Sequence, residues 1–456
     1  SSRNHPEAVV ERGLSFQIQI HIAMGQNAVT PIEVYSNSKL RGVLPASGDK
    51  SVSHRALIIA ALSAGRSRLT GLLMSDDVGC TIETLRQLGT QISETEGNSV
   101  LVHGTGIGGL TDPAGPLNLG NSGTAARLLM GVVAGNPIKA VFVGDGSLSG
   151  RPMGRVVNPL REMGASISLS RDGGLPATIV GTNALIPIQY RLPVASAQVK
   201  SSILLAGLHC PGVTRVTEDR LTRDHTENLL SKFGADVQIE TFDGGRHVCI
   251  SGQPELIPQD LEIAGDPSSA AFPLVAGLLT KNSEVCVKGV GVNNTRTGLF
   301  DCLREMGADL QVVSRGIVGG EPVADITART STLRGINIPG DRAPSMIDEY
   351  PILAMAAACA DGVTVMQGLG ELRVKESNRF TSIVEGLTKC GVKVEEKGNV
   401  MTIVGGEGRA RWRKMPKIRT HGDHRIAMAF FVMGLTCPQP ITIDDMSMVA
   451  TSYPGF

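Results

Sequence analysis

A five-residue pattern, Leu-x-x-apolar-Gly, occurs five times in the chain: Leu85–Gly89, Leu160–Gly164, Leu230–Gly234, Leu303–Gly307 and Leu387–Gly391, at intervals of about 70–85 residues. Glycine just past the last turn of a helix takes the left-handed conformation that closes it, so each copy predicts a helix end. A strand-like alternation follows each one. Interleaved with these are six polar helix starts: Gly48-Asp-Lys-Ser, Gly120-Asn-Ser-Gly-Thr, Ser196-Ala-Gln-Val-Lys, Gly265-Asp-Pro-Ser-Ser, Ser345-Met-Ile-Asp-Glu and Gly422-Asp-His-Arg. The first five precede their glycine-terminated partners by about 35–40 residues. Runs such as Val100–Val102, Ala140–Val143, Val248–Ile250 and Val400–Val404 read as strands between them. Such periodicity constrains the chain to one architecture: an α/β fold of strand–helix–strand–helix–strand units, roughly 75 residues each, six times over.

Six units divide into two domains of three, one opening at Gly48-Asp-Lys-Ser and the other at Gly265-Asp-Pro-Ser-Ser. The sixth helix end would fall near position 460, beyond Phe456, so the last unit is expected to be incomplete. A chain of 456 residues, 41% of them apolar, can build two such cores. Its 43 basic and 43 acidic residues balance, which excludes a general nucleic-acid surface and leaves charge to matter locally. With aromatics at 3%, stacking platforms for bases are not expected.

The eight cysteines, at 80, 210, 249, 286, 302, 359, 390 and 437, have neither metal-ligand spacing nor a disulfide framework, so they are expected reduced, in the cytoplasm. The longest apolar runs, such as Ile426–Leu435, are too short to span a membrane. Residues 1–23 lack a signal-peptide pattern; Met24 reads as a plausible start and 1–30 as an N-terminal extension.

The helix starts hold most of the suggestive charge. Gly48-Asp49-Lys50-Ser51-Val52-Ser53-His54-Arg55 joins a glycine turn to a helix start, with two cations and two hydroxyls beside unpaired backbone N–H groups. That is chemistry for a phosphate or carboxylate. Further cationic starts are Gly150-Arg151-Pro-Met-Gly-Arg155, Ser196-Ala-Gln-Val-Lys200, Arg223-Asp-His-Thr-Glu227, Arg373-Val-Lys-Glu-Ser-Asn-Arg379 and Asp423-His-Arg425. Any one alone is accounted for by an ordinary capped helix or a solvated face. On equivalent ends of repeated units, they predict helix N-termini converging on one cationic cleft, with Asp348 and Glu376 available for proton transfer.

The set Gly48-Asp-Lys-Ser, Ser196-Ala-Gln-Val-Lys200, Arg223-Asp-His-Thr-Glu227, Asn293-Asn-Thr-Arg296 and Leu372-Arg-Val-Lys-Glu-Ser-Asn-Arg379 resembles the 5-enolpyruvylshikimate-3-phosphate synthases, in particular their bacterial class II branch. The resemblance runs from about residue 31 to the end. It implies two domains of three βαβαββ units, with residues 31–47 and 265–456 forming one and 48–264 the other. It implies transfer of the enolpyruvyl group of phosphoenolpyruvate to the 5-hydroxyl of shikimate 3-phosphate, releasing phosphate, in aromatic amino-acid biosynthesis, by a monomer that needs no metal or organic cofactor.

Carried over by motif, Lys50, Ser51, Arg55, Ser196, Ala197, Gln198, Arg223, Asp348 and Lys375 would hold shikimate 3-phosphate. Lys50, Gly123, Arg151, Gln198, Arg379 and Arg425 would hold phosphoenolpyruvate. Asp348 would accept the 5-hydroxyl proton, Glu376 would protonate the methylene carbon, and Lys50 would share proton work. Gly123 would line the pocket in which the inhibitor glyphosate also sits.

Where some relatives carry a lysine near the last motif, this chain reads Ala450-Thr-Ser-Tyr-Pro454, so one cationic contact is expected to be missing or supplied otherwise. Two other readings stay open. The sister transferase acting on UDP-N-acetylglucosamine usually has a reactive loop cysteine, and Gly144–Gly154 contains none. A catalytically inactive anion-binding remnant is the other.

Overall fold

A computed structural model describes residues 31–37, 39–95, 97–406 and 416–456; the expected extension, 1–30, lies outside the described residues. The helices in chain order are α1 (Lys50–Leu62), α2 (Asp76–Gln87), α3 (Gly123–Ala134), the short α4 (Gly146–Ser149), α5 (Gly154–Glu162), α6 (Ala197–Gly207), α7 (His225–Lys232), α8 (Pro267–Leu279), α9 (Gly298–Glu305), α10 (Tyr350–Cys359), α11 (Arg379–Lys389) and α12 (His424–Gly434). They fall into two kinds. The helices that follow the polar starts are buried on nearly every side: all of α10, and α1 from Val52 to Leu62, including Ser53, His54 and Arg55. A helix with no solvated face belongs inside a core. The second helices of the units are amphipathic; α2 buries Val78, Ile82 and Leu85, spaced to share one face.

The five repeated glycines end those second helices. Gly89, Gly164, Gly234, Gly307 and Gly391 all have left-handed φ, between +81° and +112°. In each case the residue after the glycine donates its N–H to the pattern's leucine, as Thr90 does to Leu85 at 3.0 Å and Val392 to Leu387 at 3.0 Å. The recurring leucine and glycine therefore mark one closing motif used five times.

Among the described residues there are five four-stranded sheets and one of three strands. Each four-stranded sheet pairs its first two strands in parallel and completes itself with an antiparallel pair; Leu117–Asn118, Lys139–Val143, Ala177–Val180 and Ser166–Ser168 lie side by side in that order. The three-stranded sheet joins Lys417–Ile418, Ile441–Ile443 and the early strand Ile32–Val34.

Two strands exchange places. Arg41–Pro45, which leads into α1, pairs with Glu284–Gly291, whereas Asp260–Glu262, which leads into α8, pairs with Ala64–Thr70. The chain thus crosses twice between two groups of sheets, and the crossing segments touch, Asp49 N–H to Ala264 O at 2.8 Å and Asp266 N–H to Ser47 O at 2.7 Å. Buried apolar side chains form two clusters on either side: one from Val52 to Ile263, the other from Val34 and Ala270 to Tyr453.

The fifth unit departs from expectation. Ser345 does not open a helix; it ends a 3-10 turn, Gly340–Ser345, and α10 begins at Tyr350. Pro351 suits the first turn of α10, where a missing N–H costs nothing, and leaves Asp348 in the connecting segment. Lys375 and Glu376 likewise lie between a 3-10 turn, Leu369–Val374, and α11, not on a solvated helix face.

Candidate active site

A cavity of about 650 Å³ lies between the two cores, with walls from both. Four helix starts face it. Asp49 caps α1 by accepting the Val52 N–H at 2.9 Å, which places Lys50 and Ser51 in the first turn. Ser122 caps α3 ahead of Gly123, Ser196 caps α6 ahead of Ala197 and Gln198, and Asp423 caps α12 ahead of His424 and Arg425. Each brings the positive end of a helix dipole toward the same space, the place an anion prefers.

Thirteen of the residues singled out by sequence line this cavity: Lys50, Ser51, Arg55, Gly123, Arg151, Ser196, Ala197, Gln198, Arg223, Asp348, Lys375, Glu376 and Arg425. Arg379 does not. It is fully buried behind the wall, joined to Asp348 through Nη1 at 3.1 Å, to Glu376 through Nη2 at 2.5 Å and to Asp423 through Nε at 2.8 Å. It holds both acids from the rear and reaches the cavity through them.

Asp348 sits among cations: Arg223 at 2.6 Å, Arg379 at 3.1 Å and Lys375 at 3.5 Å, while its backbone carbonyl accepts from Arg425 at 3.4 Å. Burial alone would raise its pKa; Lys375, Arg223, Arg425 and Arg379 outweigh that and hold it well below the carboxylate range. Glu376 behaves alike, with burial opposed by Arg379 and by Arg151 at 3.8 Å, and is also held well below its usual value. Both carboxyls therefore favour their ionised form.

Lys50 forms a close ion pair with Asp77, and its Nζ donates to Ser452 Oγ at 2.8 Å; Ser452 in turn lies 2.9 Å from His424 Nε2. The segment Ala450–Pro454, which lacks the lysine of some relatives, thus supplies a hydroxyl that steadies Lys50. Arg55 donates to Thr226 Oγ1 at 2.8 Å and Ser201 Oγ at 3.0 Å, and burial, then the neighbouring Arg223, bring its pKa down to about 10. Arg151 donates to Asn121 Oδ1 at 2.5 Å and to Ser147 Oγ at 3.2 Å, which fixes the guanidinium near Gly123.

Arg127 also lines the cavity and was not expected from the sequence. Its Nη1 donates to Gln198 Oε1 at 2.7 Å while Gln198 Nε2 donates to Thr124 Oγ1 at 3.0 Å, so the amide orientation is set from both ends. Burial, then Arg151 and Arg155, lower the Arg127 pKa to about 10. Its position four residues after Gly123, one helical turn along α3, was the available signal. Asp77 was missed too, since an acid in a first helical turn needs no partner to explain it. At the mouth Arg155 pairs with Glu371 at 2.8 Å, joining the two walls. Among the described residues no cluster of three histidine, cysteine or acidic side chains is placed to hold a metal ion.

Comparison with known proteins first gives the class. The fold is that of the enolpyruvyl transferases: it superposes on the enolpyruvyl transferase NikO from Streptomyces tendae with a TM-score of 0.71, over 94% of this chain and 95% of that one, at 20% identity. The family follows from closer relatives. A family model for EPSP synthase (3-phosphoshikimate 1-carboxyvinyltransferase) matches residues 34–456. The 3-phosphoshikimate 1-carboxyvinyltransferase of Parvibaculum lavamentivorans is 52% identical over 420 residues, 91% of this chain and 92% of that protein. That of Brucella abortus is 49% identical over 427 residues, 93% and 94% of the two chains. An EPSP synthase structure from Acinetobacter baumannii superposes with a TM-score of 0.79 at 43% identity, over 92% of this chain and 95% of that one. The chain belongs to the EPSP synthase family, and the UDP-N-acetylglucosamine alternative is not favoured.

Proposed function

We propose that this cavity is where the chain carries out its family's reaction, transfer of the enolpyruvyl group of phosphoenolpyruvate to the 5-hydroxyl of shikimate 3-phosphate with release of phosphate. The observation that carries this reading is the pair of acids, Asp348 and Glu376, set among cations contributed by both walls. Two multiply charged anions repel each other, and bringing them into contact requires such a cationic enclosure.

In this reading Ser51, Arg55, Ser196, Ala197, Gln198, Arg223 and Lys375 hold shikimate 3-phosphate. Gly123, Arg151, Gln198 and Arg425 hold phosphoenolpyruvate, backed by Arg379 through the two acids, and Lys50 contacts both. Asp348 accepts the 5-hydroxyl proton as that oxygen bonds to C2 of phosphoenolpyruvate, and Glu376, protonated once the ligands' charge has raised its pKa, delivers a proton to C3. The Glu376 carboxylate then takes a proton back from C3, and the C–H electrons restore the double bond as phosphate leaves C2. Lys50, steadied by Asp77 and Ser452, offsets charge at the reacting centre and relays a proton.

The exchanged strands and the two clusters of buried side chains support domains of 48–264 and of 31–47 with 265–456. We further propose a monomer, since two halves of the same chain both contribute walls to the cavity, and a cytoplasmic setting, which the free thiols of Cys80 and Cys286 fit. No helix among the described residues is long and apolar enough to cross a membrane. Glyphosate, with a phosphonate and a carboxylate, is proposed to compete for the phosphoenolpyruvate subsite.

Calorimetric titration tests the assignment of the subsites. Arg223→Gln should weaken shikimate 3-phosphate binding by about tenfold or more, as loss of a charged hydrogen bond does. Arg151→Gln should leave that binding near wild type and raise KM for phosphoenolpyruvate. The reverse pattern contradicts the assignment.

A further inference from the structure

The motif Asn293-Asn-Thr-Arg296 contributes no side chain to the roles above, yet Arg296 is buried at the place where the chain crosses between the two cores. It lies in a short 3-10 turn, Asn294–Arg296, ahead of α9. Its Nη1 donates to Asp49 Oδ2 at 2.9 Å, and its Nη2 to Asp266 Oδ1 at 3.1 Å and Ser268 Oγ at 2.9 Å. Asp49 and Asp266 are the capping residues of α1 and α8, equivalent helices of the two halves. Asp266 Oδ2 in addition accepts the backbone N–H of Lys50 at 3.3 Å. One guanidinium therefore holds the starts of two helices, one of which carries Lys50 and Ser51.

Its reach extends to two more segments of the site. Ser268, which accepts from Arg296, donates in a close hydrogen bond to Glu349, the residue after Asp348. Arg296 Nη1 also lies 3.2 Å from His225 Nε2. Arginine can only donate, so His225 accepts there and presents Nδ1–H to Glu321 Oε1 at 2.7 Å. His225 follows Arg223 by two residues, and Arg223 pairs with Asp348.

We propose that Arg296 is a positioning residue, fixing the α1 start that carries Lys50 relative to the segments that carry Asp348 and Arg223. The fork of the guanidinium is what the task needs. Two buried carboxylates repel unless a cation stands between them, and a planar group with several donors can satisfy both caps together. Lysine keeps the charge but is a point donor, unable to reproduce the bridging geometry. Misplacing a reacting group by about 1 Å costs on the order of a hundredfold in rate.

The inference rests on the proposed function, and the test separates the two. Phosphate release is measured per folded molecule, well below the unfolding transition, for wild type, Arg296→Lys, Asp49→Asn and the double variant. Asparagine caps a helix as well as aspartate, so Asp49→Asn keeps α1 while weakening its hold on Arg296. We expect Arg296→Lys to lower kcat by about 10–100-fold with a smaller change in KM for shikimate 3-phosphate. We expect the double variant to lose little more than the worse single variant, because both substitutions break the same contact. If Arg296→Lys does not fold, Asp49→Asn carries the test alone, with a lowered kcat expected and wild-type kcat overturning the inference. A folded Arg296→Lys with full kcat, or losses that multiply in the double variant, also overturns it. A wild type that releases no phosphate sinks the functional reading and this inference with it; an active wild type beside an unaffected Arg296→Lys sinks this inference alone.

Discussion

Gly123 is the residue at which a single methyl group is most informative. A Cβ built there would lie 2.9 Å from Arg151 Nη1 and 3.0 Å from Arg127 Nη1, the ends of two long side chains, with Leu148 at 3.8 Å. No backbone atom stands in the way, so alanine fits if these two hydrogen-bonded guanidinium groups give by a few tenths of an ångström. Glyphosate is longer than phosphoenolpyruvate and is crowded first. A methyl-sized mismatch is worth about 1–3 kcal/mol, roughly 10–200-fold. Gly123→Ala should therefore raise the inhibition constant of glyphosate far more than KM for phosphoenolpyruvate; steady-state kinetics showing equal shifts would make Gly123 a backbone residue with no part in discrimination. Glu376→Gln keeps shape and removes the proton. Turnover should fall by about 10²–10⁴-fold with shikimate 3-phosphate binding little changed. Near-normal turnover would leave Glu376 as a partner of Arg379 and nothing more.

At the scale of elements, the five leucine–glycine helix ends make a clean test of backbone strain. Gly307 has φ of +92°, and an added Cβ would meet only Thr332 O at 3.8 Å. Gly307→Ala should cost about 1–2 kcal/mol of stability through the left-handed backbone alone. Gly307→Asn should cost less, since asparagine tolerates that region. Denaturation curves ranking alanine above asparagine would contradict the closing role. These same elements show how far sequence carries. The second helices and the strands after them were legible because the closing motif is local: one leucine, one glycine, one hydrogen-bond pattern. The fifth helix start was not. Pro351 and the turn ending at Ser345 delay α10, and the polar stretch Ser345–Glu349 mimics a cap without making one. Motif resemblance located thirteen cavity residues, but it could not show that Arg379 stands behind the acids, because depth depends on packing between units distant in sequence. Arg127 was missed for the same reason, its partner Gln198 lying in another unit; Asp77 shares a unit with its partner Lys50 but reads as an ordinary first-turn acid.

The whole molecule should lose stability in mild acid. Burial brings the His209 pKa down to about 4, and burial together with Lys50 pushes His54 and His424 well below their usual value. Between about pH 6.5 and 4 the unfolded chain therefore binds protons that the folded chain refuses, and stability falls as pH falls. For His209 alone the decline is on the order of 3 kcal/mol across that window. His209→Leu should flatten it, whatever the variant's stability at pH 7; an unchanged slope in denaturation curves would place the His209 titration elsewhere. Depressed carboxyls such as Asp348 and Glu376 contribute in the same direction, their stabilisation being lost only at still lower pH.

The cationic cavity between two halves is the central claim, and it concerns both anions together. Its most direct measurement is release of inorganic phosphate by the purified protein, with each substrate supplied alone and then with both. Phosphate should appear only when phosphoenolpyruvate and shikimate 3-phosphate are both present. Release with UDP-N-acetylglucosamine in place of shikimate 3-phosphate, or no release with either acceptor, would contradict the account.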